Sequence, residues 1–299
     1  AELHATGHIG NSQTYKQTQD MLRSYDRKLD QRLFSDIDLR YVRGFDMFLQ
    51  KRGCCGNTRK FYFKALRAIL NRANAEGVGS VATYPFGRGG FEVSKLEEAT
   101  AKRYLPAAEL SKLKSTTASN PQCEYARKLF LFSYYCYGIS FIDMAMLTTA
   151  QIKQMEDGDY IVYKRQKIKR QKEVKPISIK ITPAIRQLIG GLQAASPTVD
   201  DFLLPIVTRS GYTGERLYMH IRTRYSKYQK YLRLLAEELG IDFHLTSYVS
   251  RHTAAMTLQR NHIPREVISQ MLGHADLETT NIYLDSFDNG VINEAAKVL

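Results

Sequence analysis

The chain has 299 residues and carries 43 Lys and Arg against 30 Asp and Glu, so its formal net charge is +13. A hydrophobic fraction of 43% and a charged fraction of 24% are ordinary for a globular protein, which excludes a largely disordered or fibrous chain. Length and charge together predict a basic, two-domain protein suited to a polyanionic partner.

Cysteine spacing and hydropathy exclude further classes. The four cysteines, at positions 54, 55, 123 and 136, have neither metal-ligand spacing nor the density of a disulfide framework, so we expect a reducing compartment. No segment typical of a secretion signal is evident. The longest apolar stretch, residues 129–147, is interrupted by polar residues and predicts a buried helix rather than a membrane span.

The first half of the chain predicts three helices, over residues 12–29, 35–53 and 57–77. Ser35–Asp36 is the predicted cap of the second, and Asn57 or Thr58 that of the third. The third helix carries a row of cations that fits either a solvated face or a DNA contact. These cations are Arg59, Lys60, Lys64, Arg67 and Arg72.

A glycine-rich stretch with one proline, residues 78–91, predicts a turn or linker, and an extended charged segment follows it. We place the domain boundary near residues 102–105. This gives a helical domain with its linker over residues 1–101 and a second domain over residues 102–299.

The second half mixes helices with a small sheet. Asn120–Pro121 predicts the start of a long helix that stops at Gly138, and residues 140–143 form a capping box for a short one. Two β-rich runs, residues 160–163 and 174–179, predict paired strands. Further helices are predicted over residues 183–192, 214–239, 246–260, 264–272 and 277–284, followed by an amphipathic tail at residues 291–299. The fold class is mainly α with a small β-sheet.

Two basic segments stand out in this half. The segment that joins the predicted strands holds seven cations between residues 164 and 175, and its charge density favours phosphate contact over a solvated loop. Strand periodicity predicts Arg165, Lys167 and Lys169 on one face. The helix over residues 214–239 interleaves cations with tyrosines, which suits either half-buried packing or DNA contact.

Three short motifs follow one another near the carboxyl end. Arg251 lies in the sequence SRHT at residues 250–253, and His274 ends the sequence MLGH at residues 271–274. Tyr283 follows nine residues after His274, at the end of the sequence TTNIY. Each motif alone is common, but their order and spacing together are specific.

This set resembles the catalytic signature of the tyrosine recombinases, the phage-integrase family. Residues 165–167 match the family's β-strand lysine, residues 102–110 resemble the start of its catalytic domain, and residues 140–145 are similar to integrases of Bacteroides-type mobile elements. The resemblance covers the whole chain. It implies a helical, SAM-like core-binding domain and an α+β catalytic domain that clamp duplex DNA in a C shape.

The resemblance also implies a site-specific recombinase that cleaves and rejoins DNA through a 3′-phosphotyrosine. Tyr283 is the nucleophile, and Arg251 offers its fork of donors to two phosphate oxygens. His274 bonds the phosphate or manages the tyrosine proton, and Lys167 protonates the leaving 5′-oxygen. No metal, cofactor or ATP is implied, since the cations stabilise the charge and the covalent link conserves bond energy.

The family's first activating arginine is missing. Ser140 occupies its usual position, and Tyr137 occupies the position before Gly138 where Bacteroides-type relatives carry an arginine. Arg165, expected on the same strand face as Lys167, is one substitute; alternatively it only touches backbone phosphate.

A second departure lies three residues before Arg251, where the family often has a histidine and this chain has Tyr248. The two positions share a helix face, so the Tyr248 hydroxyl can reach the phosphate. His252 is expected to pack behind the arginine and orient it.

The implied partner is duplex DNA with specific recombination sites, bound by a homo-tetramer that is a monomer when free, with an accessory DNA-bending protein and no membrane. The implied location is the cytoplasm, at the nucleoid. The chain starts at Ala1, so an arm-binding domain is expected to be missing, and residues 287–299 pack either on a neighbouring protomer or on their own domain. The alternatives are a cleavage-deficient DNA-binding protein of the same fold and a type IB topoisomerase.

Overall fold

The computed structural model describes residue 3 and residues 6–98, 103–168 and 174–274. It divides the chain into two compact units, Ala1–Ala101 and Lys102–Leu299. The described residues are mainly helical with one three-stranded sheet, which confirms the predicted fold class. None of the described helices has the length and hydropathy that crossing a membrane requires.

The first unit is built on three helices, α1 (Ile9–Tyr25), α2 (Leu39–Lys51) and α3 (Gly56–Ala75). Their apolar faces share one core. It includes the fully buried side chains of Val42, Phe45, Leu49 and Phe63.

The helix starts of the first unit differ from the predicted caps. Asp38, not Ser35–Asp36, caps α2 by accepting a hydrogen bond from the Tyr41 amide at 2.8 Å. The start of α3 is capped by a residue far away in the sequence, because the Glu98 carboxylate accepts a hydrogen bond from the Gly56 amide at 2.9 Å. Asn57 therefore lies inside the helix, where its side-chain amide donates to the Glu98 carbonyl at 2.7 Å.

The second unit surrounds one central helix. Its helices are α4 (Ala107–Ser115), α5 (Pro121–Tyr135), α6 (Phe141–Ala145), α7 (Pro183–Ala195), α8 (Gly214–Glu238), α9 (Ser247–Arg260) and α10 (Arg265–Leu272). Helix α5 contacts α7, α8 and α9, and most of its residues are buried. Asn120 caps α5 as predicted, with Pro121 in the first turn.

The sheet is antiparallel in the order β1 (Ile152–Met155), β2 (Gly158–Tyr163) and β3 (Ile177–Lys180). Ile161 of β2 pairs with Ile152 and Ile179, and both Ile161 and Ile179 are fully buried. Strand β1 was not predicted, since three of its four side chains are exposed and it lacks the alternation typical of a strand.

The predicted strand face for Arg165 and Lys167 is wrong. Pairing between β2 and β3 ends at Tyr163 and Ile177, and residues 166–168 form a turn. Beyond the ladder, the Gln166 amide donates to the Asp143 side chain. Lys169, the predicted helix over residues 277–284 and the predicted tail at 291–299 lie outside the described residues.

Candidate active site

Helix α9 carries Arg251 in its second turn and is held from two directions. The buried Ser250 hydroxyl lies 2.7 Å from that of Ser133 on α5, which ties the two helices together. The Thr253 hydroxyl oxygen accepts the Leu105 amide at 3.0 Å, which anchors the start of the second unit. Arg251 is only 4% exposed, so its position depends on these contacts.

The Arg251 guanidinium joins three parts of the chain. It donates to the carbonyls of Gly138 at 3.0 Å and Leu272 at 2.6 Å, and its Nη2 lies 2.8 Å from His274 Nε2. Because a guanidinium only donates, His274 Nε2 accepts this bond, and the proton of the neutral imidazole is on Nδ1. The structure therefore brings Arg251 and His274 into direct contact.

His274 is placed by the turn that ends α10. The His274 amide donates to the Ser269 carbonyl and the Gly273 amide to the Gln270 carbonyl, each at 3.0 Å. This pair of bonds is a Schellman motif, which needs a left-handed residue, and Gly273 supplies it with φ +63°. A Cβ on Gly273 would also lie 2.3 Å from the Ile177 side chain, so both conformation and space require glycine.

The turn after α5 packs closely against Arg251 on the side opposite the α10 turn. Gly138 has φ +72°, and a Cβ there would lie 2.4 Å from the Arg251 Cα. Tyr137, just before it, is also left-handed at φ +57°. Its side chain is half-buried, and burial raises the pKa of the Tyr137 phenol. Tyr137 is therefore a neutral turn residue at a position where relatives were expected to carry an arginine.

Arg165 reaches the same turn as Arg251. Its Nη1 donates to the Gly273 carbonyl at 3.1 Å, the carbonyl next to the one that Arg251 bonds. The two arginines and His274 therefore converge on residues 272–274. This arrangement differs from the predicted strand face, since Arg165 reaches the turn from the loop after β2.

Lys167 is exposed in the turn two residues after Arg165, and this turn is anchored by Asp143. The Asp143 carboxylate is 3% exposed and accepts the Gln166 amide at 2.7 Å and the Ser140 hydroxyl at 2.6 Å. Ser140 also caps α6, so its hydroxyl is already engaged. Sequence reasoning missed Asp143 as a site residue, although its place in the capping box was a signal.

The buried Tyr163 lies close enough to Asp143 and to the two arginines for their charges to affect its pKa. Tyr163, the last residue of β2, has its pKa raised mainly by burial and further by the Asp143 carboxylate. The positive charges of Arg251 and Arg165 lower it again, but by less. The Tyr163 phenol therefore stays neutral between the carboxylate and the two guanidinium groups.

Of the remaining predicted site residues, the structure describes Tyr248 and does not describe Tyr283. Tyr248 is 54% exposed on α9, and its ring meets the His252 ring edge-on with centroids 5.0 Å apart. His252 therefore packs against Tyr248. Tyr283 lies outside the described residues. No cluster of three or more metal-ligating side chains occurs in the part of the chain that the structure describes.

The basic residues of α3 divide into two groups. Arg59 bonds both oxygens of Asp46 at 2.9 Å, Lys60 pairs with Glu97, and Arg72 pairs with Glu76. Lys64 and Arg67 are exposed and form no ion pair with a described acid. The solvated-face interpretation therefore holds for part of the row only.

The tyrosines of α8 also divide. Tyr228 is buried and stacks on Phe141 with centroids 5.2 Å apart, so it is a core residue. Tyr225 is exposed, and its hydroxyl lies 3.1 Å from that of Ser247 at the start of α9. Most cations of this helix remain at the surface.

Residues 103–289 match the family model for the phage integrase family, and residues 1–92 match that for the phage integrase SAM-like domain. The chain belongs to the phage integrase family. A curated relative of this integrase-family chain is the tyrosine recombinase XerD of Halalkalibacterium halodurans, 43% identical over 54 residues. The match spans 18% of each chain, so it covers under a fifth of that relative's length.

Solved structures share the fold over most of the chain. The XerH site-specific recombinase bound to palindromic difH substrate has a TM-score of 0.65 at 17% identity, covering 96% of this chain and 79% of that one. The Tn1549 transposon integrase in complex with transposon right end DNA has a TM-score of 0.62 at 14% identity, covering 96% and 98%. A lambda integrase dimer bound to a COC′ core site has a TM-score of 0.59 at 14% identity, covering 92% and 90%.

Gly138→Ala should destabilise the protein by about 2–4 kcal/mol, because the new Cβ combines a left-handed φ with overlap against Arg251. Gly211→Ala is the matched control, since Gly211 has φ +70° but open space around it, and should cost only about 1 kcal/mol. Urea unfolding followed by circular dichroism measures both. Equal losses would show that contact with Arg251 is not tight.

Asp143→Ala should loosen the turn that carries Lys167. The partly buried Gln166 amide would lose its acceptor, at a cost of about 1–2 kcal/mol. Hydrogen exchange of the Gln166 amide should become faster than in the wild-type protein. Asp159→Ala, which removes only the surface ion pair to Arg186, is the control and should leave that amide unchanged.

Proposed function

We propose that the protein is a site-specific DNA recombinase that cleaves and rejoins duplex DNA through a 3′-phosphotyrosine on Tyr283. The observation that supports this most is the convergence of Arg165, Arg251 and His274 on the turn at residues 272–274. Two planar cations and an imidazole on one turn suit a phosphate group, whose charge grows in the transition state.

In the proposed reaction the Tyr283 oxygen attacks phosphorus, and the bond from phosphorus to the 5′-oxygen breaks. Lys167, exposed in its turn, gives a proton to the departing 5′-oxygen. His274 hydrogen-bonds the phosphate or takes the tyrosine proton. Its Nε2 lone pair suits the second role once phosphate oxygens take the donors of Arg251. A second strand's 5′-hydroxyl reverses the step without ATP.

We further propose that Arg165 replaces the missing first arginine. Ser140 and Tyr137 carry no charge at the two positions where it was expected, and the Ser140 hydroxyl is engaged by Asp143. The Arg165 Nε atom is buried and has no hydrogen-bond acceptor among the described residues. Because buried donors normally have partners, we propose a phosphate oxygen as the acceptor for this atom. Tyr248, exposed on α9, is proposed to reach the same phosphate.

The proposed substrate is duplex DNA with specific recombination sites, bound by a homo-tetramer that is monomeric when free and assisted by a DNA-bending protein. The net charge of +13 and the exposed cations of α3 and α8 support the DNA contact. The resemblance of residues 140–145 to integrases of Bacteroides-type mobile elements favours movement of such an element as the reaction. A protein with this substrate acts in the cytoplasm, at the nucleoid.

A second proposal is a DNA-binding protein of the same fold that does not cleave. It is favoured by one observation, the absence of an arginine at positions 137 and 140. It requires salt-sensitive binding of duplex DNA without any covalent adduct.

A duplex with a nick beside the cleavage site should trap a covalent protein–DNA adduct, because the short 5′-hydroxyl fragment diffuses away before rejoining. The adduct appears as a slower band on a denaturing gel. Tyr283→Phe should abolish it, since no phenolic oxygen remains, whereas the control Tyr160→Phe should retain it. Adduct formation by Tyr283→Phe contradicts the proposed nucleophile, and binding without an adduct in the wild-type protein favours the second proposal.

Arg165→Ala should slow cleavage by about 10²–10³-fold, the loss typical of one donor to a developing charge. Duplex affinity should fall by less than about tenfold, because few phosphate contacts change. Arg165→Lys should recover only part of the rate, since lysine lacks the planar fork. The control is Arg186→Ala, which breaks a surface ion pair. Unchanged cleavage with weaker binding would mean that Arg165 only touches backbone phosphate.

A further inference from the structure

A second group of cations surrounds His220 in the second unit, on α8 and the loop before it. Arg216, His220, Arg224 and Lys227 are spaced so that they share one face of α8. Arg209 lies in the loop that precedes the helix and is exposed. We name these five residues the His220 cluster.

His220 is bonded in a way that shows its protonation state. The Thr208 amide lies 3.2 Å from His220 Nε2, and the Thr208 hydroxyl oxygen lies 3.4 Å from the same atom. Because a backbone amide only donates, Nε2 accepts this bond and the imidazole is neutral. The Tyr212 ring packs edge-on against the imidazole with centroids 5.4 Å apart.

The loop that carries Arg209 is fixed at its base. The Asp200 carboxylate accepts the Ser210 hydroxyl at 2.5 Å and the Gly211 amide at 3.0 Å. Earlier in the loop, the Leu203 amide donates to the Leu147 carbonyl at 2.8 Å. Arg209 is therefore held beside α8 rather than on a free segment.

The groups that face His220 are mostly positive. Arg224 and Lys227 approach from α8, and Arg209 approaches from the loop. That loop holds two acids. The oxygens of Asp200 are bonded to the loop itself, and Asp201 is exposed. Among the described residues, no acid forms an ion pair with any of the cluster's four arginine and lysine side chains, and the ion pair on α8 is Arg233–Glu237. Burial lowers the pKa of His220, and the three neighbouring cations lower it further.

We infer that the His220 cluster is a DNA-phosphate site at which binding is coupled to uptake of a proton by His220. This inference rests on the proposed function, because it takes DNA as the substrate. A phosphate on Arg209, Arg224 and Lys227 cancels the repulsion that disfavours the imidazolium. Once protonated, Nε2 can no longer accept the hydrogen bond from the Thr208 amide. It can instead donate a hydrogen bond to the Thr208 hydroxyl oxygen, which lies 3.4 Å away.

The sign of the pH dependence follows from linkage. The pKa of His220 is lowered in the free protein, and bound phosphate raises it. Between these two values the complex holds one more proton than the free protein, so affinity increases as the pH falls. For one proton the increase is limited to about tenfold per pH unit. Above both values the contribution of His220 disappears.

The test compares the wild-type protein with His220→Gln, whose side-chain oxygen can still accept the Thr208 amide but does not titrate. Fluorescence anisotropy with a labelled 30-base-pair duplex gives the dissociation constant between pH 5.5 and 8 at constant ionic strength. The wild-type affinity should increase by about three- to tenfold more than that of the variant as the pH falls. His244→Gln, which removes an exposed histidine of the same unit, should follow the wild-type curve.

If the affinity of the wild-type protein and that of His220→Gln change with pH in parallel, the inference is overturned. Such a result would leave DNA binding, and therefore the proposed function, unaffected. Absence of duplex binding at low salt would overturn both. A second measurement uses only the wild-type protein and does not depend on whether a variant folds. NMR titration of the assigned His220 imidazole resonance should give a higher pKa with duplex DNA than without it. An equal or lower pKa in the complex would also overturn the inference.

Discussion

The site depends on one buried cation, the Arg251 guanidinium. A charge away from water is costly unless its donors are bonded, and here the carbonyls of Gly138 and Leu272 and the imidazole of His274 accept them. These three partners come from the turn after α5 and from the end of α10. The same bonds that stabilise the buried charge therefore determine where two separate turns and a histidine lie.

Glycine makes this arrangement possible on both sides of the arginine. Gly138 and Gly273 each adopt a left-handed conformation, and a Cβ at either position would overlap a neighbouring side chain. The close approach leaves little freedom for Arg251 and His274. Such rigidity suits the proposed phosphate site, because donors that are already oriented cost less to organise during a reaction.

Charge has two separate uses in this protein. Asp143 uses a buried carboxylate to hold the turn between Arg165 and Lys167, and Asp46 holds Arg59 in the first unit. Other cations, such as Lys64 on α3 and Lys227 on α8, stay exposed. The net charge does not distinguish these two groups of charged residues. Only the contacts in the folded structure show which cations are paired with an acid and which remain available to a polyanion.

The sequence by itself determined the local features of the protein. Periodicity, the Asn120–Pro121 cap and Gly138 predicted where helices lie, begin and end, because these signals act within one turn. The order of Arg251, His274 and Tyr283 indicated the family; where Tyr283 lies remains a prediction.

Only the tertiary structure decided the contacts between distant segments. It placed Arg165 on the Gly273 carbonyl, 108 positions away, and it bonded the start of α3 to Glu98, 42 positions away. Strand β1 belongs with these, since it is defined by its partner rather than by its own polar sequence. No local pattern encodes such pairs, because at least one partner in each is a backbone amide or carbonyl, which nearly every residue carries. Packing therefore selects which of these groups meets its partner.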